Sequence, residues 1–342
     1  MFSRAAAVAM VIVVATTTPA AATPGLAPAT DREIVFTVDG TLTYGTLHVP
    51  AHRVGQRLPA ALLLPGSGPT DRNGDQPPTL TPNTLAQLAE ALDQDHVVTL
   101  RFDKYGTGRT GLGAYRDHPE TIDYPAFVRQ AAAAYELLRD QPETDPRSML
   151  VVGHSEGAMT ALLLGGTVTP RPSGLALLQP QAIRLLDLVE LQLHGQVAEA
   201  TRLGLLTPDQ QRTIDAAIAN ATTALREHRP VDTTDLPAAV AQLFRVFQGS
   251  NSRFVDSDDA VYPPDAAAAL RPGTKVLLTC GTNDPQVPCD TTDALTTALR
   301  RAHVGGPGRV RLSGVDHLLH DADHRDTIAP TALDALHRFV KC

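Results

Sequence analysis

The feature that most constrains this chain is a rhythm in which short apolar runs alternate with longer segments of helical periodicity. The runs are Leu58–Leu64, 97–102, 149–152, 175–178, 276–278 and 310–312. Nearly continuous apolar runs of this length suit strands buried on both faces. Between them, apolar residues recur at helical spacing over 85–92, 124–138, 158–164, 294–299 and 332–340. Strands that alternate with helices imply an α/β fold, a mostly parallel sheet with helices on both faces. Residues 33–48 differ, because apolar and polar positions alternate around Asp39-Gly40. That pattern predicts a hairpin, placed at an antiparallel edge of the sheet.

One interval breaks the rhythm. Residues 183–265 carry several helical patterns and no convincing strand. Thr207-Pro208-Asp209-Gln210 reads as a helix start, with Thr207 as cap, Pro208 in the first turn and Gln210 at the capping-box position. Ile214, Ala217, Ile218, Ala221 and Leu225 then form one apolar face. Val240, Leu243, Phe244 and Phe247 repeat at the same spacing. The interval is expected to form a helical cap over the functional edge of the sheet, these four residues lining a substrate cavity. The alternative is an inert helical insertion. The organisation expected is therefore 1–22 as a leader, 23–182 and 266–342 as the two parts of the core, and 183–265 as the cap.

Chemistry enters at Gly153-His154-Ser155-Glu156-Gly157, which follows an apolar strand and precedes a helix. This is the strand, turn and helix setting of a nucleophile elbow, where the serine occupies a strained turn and its neighbours must be glycine. A serine hydroxyl is a poor nucleophile at neutral pH, so a base must take its proton and an acid must orient that base. The expected chain order is Ser, Asp, His. Asp284 comes soon after the run at 276–278, and His317 follows the run at 310–312. His320 and His324 are rivals in the same loop, and Asp316 reads as a loop residue. Backbone N–H groups must also hold an oxyanion. Those of Glu156, just after the nucleophile, and Ser67, in Gly66-Ser67-Gly68-Pro69, are the candidates.

Two competing signals are weaker. Gly106-Thr107-Gly108-Arg109-Thr110-Gly111 spells a dinucleotide fingerprint, but no helix pattern opens after it. His317, His320, Asp321, Asp323 and His324 lie close together, yet match no zinc-hydrolase spacing and leave Ser155 unexplained. No metal and no cofactor are expected.

Together with the Asp284 and His317 segments, Gly66-Ser67-Gly68-Pro69-Thr70-Asp71-Arg72-Asn73-Gly74, Phe102-Asp103-Lys104-Tyr105-Gly106-Thr107-Gly108 and Gly153-His154-Ser155-Glu156-Gly157 resemble the bacterial α/β-hydrolase carboxylesterases. The chain is similar in particular to secreted esterases with a G-S-G-P-x-D-R-D-G loop, with Asn73 where that pattern has Asp. The resemblance implies the α/β-hydrolase fold, a cap inserted after the sixth strand of the main sheet, and hydrolysis of a small-molecule ester, with an apolar acyl group, through an acyl-enzyme. For Asp71 and Arg72 an ion pair that holds the oxyanion loop in shape is expected, with contact to substrate as the alternative. A serine peptidase or acyltransferase on the same fold, and a non-catalytic binding protein on a hydrolase scaffold, are the alternatives.

At the N-terminus, Arg4 precedes an apolar run ending before Ala20-Ala21-Ala22, the pattern of a secretory signal peptide with a small-residue cleavage site. The run is about ten residues, half of what a bilayer requires, so no stable membrane span is expected after cleavage. A formal charge of −8 argues against a nucleic-acid partner. Export to an oxidising destination, secreted or in the cell envelope, would let Cys280 and Cys289 pair as a disulfide around Asp284 and leave Cys342 over.

Overall fold

A computed structural model describes residues 25–341, so the expected leader at 1–22 and Cys342 lie outside the described residues. The chain opens with β1 (Leu26–Ala27), which pairs antiparallel with β4 (His52–Arg53) in a small ribbon. Between them, β2 (Thr30–Val38) and β3 (Thr41–Val49) form the hairpin, with Val38 opposite Thr41. Asp39 and Gly40 both take positive φ, the geometry that turns a two-residue loop with the twist of its strands.

The core then alternates as the rhythm predicts: β5 (Leu58–Leu64), α1 (Thr84–Asp93), β6 (Val98–Phe102), α2 (Tyr124–Arg139), β7 (Thr144–His154), α3 (Glu156–Thr167) and β8 (Gly174–Leu178). Five helices follow, α4 (Leu185–Arg202), α5 (Pro208–Arg226), α6 (Ala238–Gln248), α7 (Ser252–Asp259) and α8 (Pro263–Ala268). The chain closes with β9 (Lys275–Gly281), α9 (Asp293–Arg301), β10 (Gly305–Leu312) and α10 (Pro330–Lys341). The main sheet has eight strands in the order β10-β9-β8-β7-β5-β6-β3-β2. Only β3 runs against the other strands, so its pairings with β2 and β6 are antiparallel and the rest are parallel.

Strand alternation explains the two cores. Ala60, Leu62 and Leu64 of β5 and Val151 of β7 join residues of α2, α3 and α9 on one face. Ala61, Leu63, Leu150 and Val152 join residues of α1 and α10 on the other. Each fully buried Leu contributes about 1.5–3 kcal/mol relative to exposure, so a continuous apolar run is needed to fill both layers.

The helices α4 to α7 lie between the sixth and seventh strands of this sheet and share a third apolar cluster of their own. Thr207 caps α5 through a reciprocal capping box with Gln210. Ile214, Ile218, Ala221 and Leu225 are buried in that cluster. The boundary expected at residue 265 falls inside α8, whose Ala267 packs into the main core. Pro263 and Pro264 start that helix, and the sequence signal of a helix start does not reveal which body the helix joins. Among the described residues no helix is long and apolar enough to cross a membrane.

Candidate active site

The carboxyl ends of the parallel strands converge on one edge of the sheet, and the site is built there. Strand β7 ends at His154 and α3 begins at Glu156, leaving Ser155 alone in the turn with φ 55° and ψ −120°. Positive φ in a non-glycine residue stores strain of order 1–3 kcal/mol, sustained only where the surroundings over-determine it. They do so here. A Cβ at Gly153 would stand 2.1 Å from the Gly157 carbonyl oxygen, and one at Gly157 would stand 2.3 Å from that of Leu64. The Ser155 N–H is meanwhile held by Leu178 O at 2.9 Å, and its carbonyl accepts from Gln181 N at 3.1 Å.

Past the end of β9, Asp284 is buried and fully bonded. Its Oδ1 accepts the N–H groups of Gln286 at 2.9 Å and Val287 at 2.8 Å, and its Oδ2 lies 2.8 Å from His317 Nδ1. Since a carboxylate only accepts, Nδ1 carries the imidazole proton and the Nε2 of neutral His317 has a free lone pair. Ser155, Ser67 and His317 line the same clefts. Among the described residues the Ser155 hydroxyl has no hydrogen-bond partner, and Ser155 and His317 meet only as walls of these clefts.

His154 supports this arrangement from behind. Its Nε2 donates to the His317 carbonyl oxygen at 2.7 Å. Burial, then the neighbouring His317, pushes its pKa down from 6.5 to about 4, so the ring is neutral at ordinary pH. The rivals do not share the cleft: His320 is buried with Nε2 unpartnered, and His324 pairs with Asp321. Asp316 ties the turn, its Oδ1 accepting the Leu318 and His320 N–H groups. Among the described residues no cluster of three or more His, Cys, Asp or Glu is placed to hold a metal ion.

In the cleft they share with Ser155, the Ser67 and Glu156 N–H groups donate to no protein acceptor among the described residues. Arg72 does enter an ion pair that holds this loop, but Asp71 is not its partner. Asp71 Oδ1 instead accepts the amides of Asn73 and Asp75, while Arg72 makes a two-pronged bond to Asp103 at 3.1 and 2.7 Å. Asp71 opens a turn closed by the Gly74 N–H to its carbonyl oxygen at 3.1 Å, and its carboxylate is taken up by the amides of that turn, which leaves Arg72 to find its partner elsewhere.

The cap contributes a cavity of about 360 Å³ over Ser155 and His317. Leu243 and Phe247 line it; Val240 and Phe244 do not, and instead pack into the cap's own cluster, where Phe244 is fully buried. The four residues fall on two neighbouring stripes of α6, of which one faces the cavity. Most of the apolar lining comes from α4, through Leu185, Leu188, Val189 and Leu193, and from Phe254 of α7. A second cavity of about 300 Å³, with Tyr105, Phe127 and Phe254 in its walls, adjoins the first across Gly68 and Glu156.

Cys280, at the end of β9, is joined by a disulfide to Cys289 with their Cα atoms 5.2 Å apart, enclosing Asp284. 

Comparison with known proteins agrees with this architecture. The model of the alpha/beta hydrolase family matches residues 61–331, and the chain belongs to that family. No curated protein matches it in sequence. Among solved structures it is similar to the Pyrococcus furiosus esterase PF2001, with a TM-score of 0.56 and 14% identity over 92% of this chain and 90% of that one. Est1E from Butyrivibrio proteoclasticus, solved with ferulic acid bound, gives 0.52 and 16% over 90% and 96%. Porphyromonas gingivalis dipeptidyl peptidase 4 gives 0.57 and 14% over 92% of this chain but 36% of the peptidase. At these identities the likeness is one of fold: an α/β-hydrolase fold with a mostly parallel central sheet flanked by helices.

Proposed function

We propose that the chain is a serine esterase that cleaves small-molecule carboxylic esters through an acyl-enzyme. The observation that carries this reading is the Asp284–His317 hydrogen bond at 2.8 Å in the cleft shared with Ser155 at the strained elbow. In this reading Ser155 Oγ attacks the ester carbonyl as His317 Nε2 takes its proton, and the Ser67 and Glu156 N–H groups receive the oxyanion. The imidazolium formed is stabilised by Asp284 and returns its proton to the departing alcohol. Water, deprotonated by the same His317, then releases the acid.

The leucine- and valine-lined cavity under α4 favours an apolar acyl group. We also propose export through the N-terminal leader, which the disulfide between Cys280 and Cys289 supports, since such bonds persist in oxidising compartments. The reading is tested by fluorophosphonate labelling and nitrophenyl-ester turnover. Labelling at Ser155 and loss of turnover in folded Ser155→Ala by about 10⁴-fold or more are expected. Near-wild-type turnover in that variant sinks the proposal.

A further inference from the structure

The peptide group that offers the Ser67 N–H has its carbonyl on Gly66, and that carbonyl is not bonded to the sheet. It accepts a hydrogen bond of 2.6 Å from Lys104 Nζ, a buried ammonium. The register of the sheet brings the two together. Strands β5 and β6 are parallel neighbours with Leu62 beside Leu100, so Gly66 and Lys104, each four residues further on, leave the sheet side by side. Lys104 also reaches the second oxyanion residue, its Nζ standing 3.6 Å from Glu156 Oε1, and its ammonium lies 5.7 Å from the centre of the Phe127 ring.

We propose that Lys104 is a positioning residue for the oxyanion hole, holding the Gly66–Ser67 peptide with its N–H toward the substrate carbonyl and tying it to Glu156. A hydrogen bond to a peptide's carbonyl fixes the plane of that peptide, and therefore the direction of its N–H. An ammonium does more than a neutral donor, because it polarises the amide and strengthens the N–H as a donor in a site with little water. The charge acts through the peptide and does not touch the reacting atoms. Asp103, next in sequence, clamps Arg72 of the same loop, so consecutive residues after β6 hold both ends of the oxyanion loop.

This inference rests on the Ser155 reading, and its test separates the two. Wild-type enzyme and Lys104→Met are compared in nitrophenyl-ester kinetics and in binding of an alkyl trifluoromethyl ketone, whose serine adduct carries an oxyanion. The expectation for Lys104→Met is a fall in kcat of about 100-fold with KM within about threefold, because an oxyanion interaction is made only in the transition state. The ketone's affinity should fall in step with kcat/KM. Lys104→Arg, which keeps a charged donor, should recover most of the loss. A kcat within threefold of wild type overturns the inference, as does a lower kcat with unchanged ketone affinity, which is what mere packing damage would give. If Lys104→Met does not fold, Lys104→Gln carries the same comparison, with a loss of about tenfold or more expected and wild-type behaviour overturning it. A wild type inert to both esters and fluorophosphonate would overturn the Ser155 reading and this inference together.

Discussion

At the scale of single residues, the division of labour among three nearby histidines decides the site. His317 alone bonds Asp284 and lines the cleft with Ser155, so His317→Ala should match Ser155→Ala in lost kcat, while His324→Ala changes it by less than about tenfold. Asp284→Asn should lose roughly 10⁴-fold, since the imidazole tautomer is no longer enforced. Nitrophenyl-ester kinetics check all three, and a dead His324→Ala with an active His317→Ala would reverse the assignment. That Ser155, Asp284 and His317 come together at one sheet edge was readable in the sequence because each follows a recognisable apolar run and so lies beyond a strand end. The Arg72–Asp103 pair was not readable: its partners lie 31 residues apart, and no local pattern says which carboxylate an arginine will meet.

At the scale of elements, the cap separates lining from structure within one helix. Leu243 and Phe247 face the cavity, whereas Phe244 is sealed inside the cluster formed with α4, α5 and α7. Leu243→Ala or Phe247→Ala should therefore shift acyl-chain preference, each methylene being worth about 1–3 kcal/mol of discrimination, with a smaller loss of stability than at Phe244 because both are only half-buried against the cluster. Phe244→Ala should instead destabilise the protein by about 3–5 kcal/mol. A chain-length series of esters alongside urea unfolding distinguishes the two, and equal effects at all three positions would contradict the division. The strands were legible because burial on both faces leaves a continuous apolar run. The cavity face was not, because a residue over a cavity and one inside a helix cluster carry the same apolar signature. The acid loop adds a covalent brace: removing it in the Cys280→Ala/Cys289→Ala variant should cost about 2–3 kcal/mol, read by urea unfolding of the unreduced protein.

At the scale of the whole molecule, stability should be squeezed by pH from both sides through groups beside Ser155. His154 is held neutral, its folded pKa near 4 lying below the ordinary 6.5. The unfolded chain therefore binds the extra proton between those values, and stability falls as pH drops from 6.5 to about 4. At about 1.4 kcal/mol per pH unit the loss from this one ring is about 3 kcal/mol. Asp258 on α7 works in the opposite sense. Burial, and then the charge of Glu156, raise its pKa well above 3.8, while Gln181 Nε2 donates to its Oδ1 at 2.9 Å and Lys104 partly offsets the rise. Tyr124 and Asp259 complete its charged and titratable surroundings. Here the folded state binds the extra proton, so its contribution is full below 3.8 and is lost as pH rises through the elevated folded pKa. Because Asp258 belongs to the cap and Glu156 to the elbow helix, that loss falls on the seam between them. Asp258→Asn keeps the acceptor for Gln181 and removes the ionisation. It should be more stable than wild type by a margin that grows as pH rises from 4, while the acid limb set by His154 stays as it was. Urea unfolding at intervals from pH 4 to 9 measures both limbs, and a variant whose stability runs parallel to wild type across that range would remove Asp258 from the account.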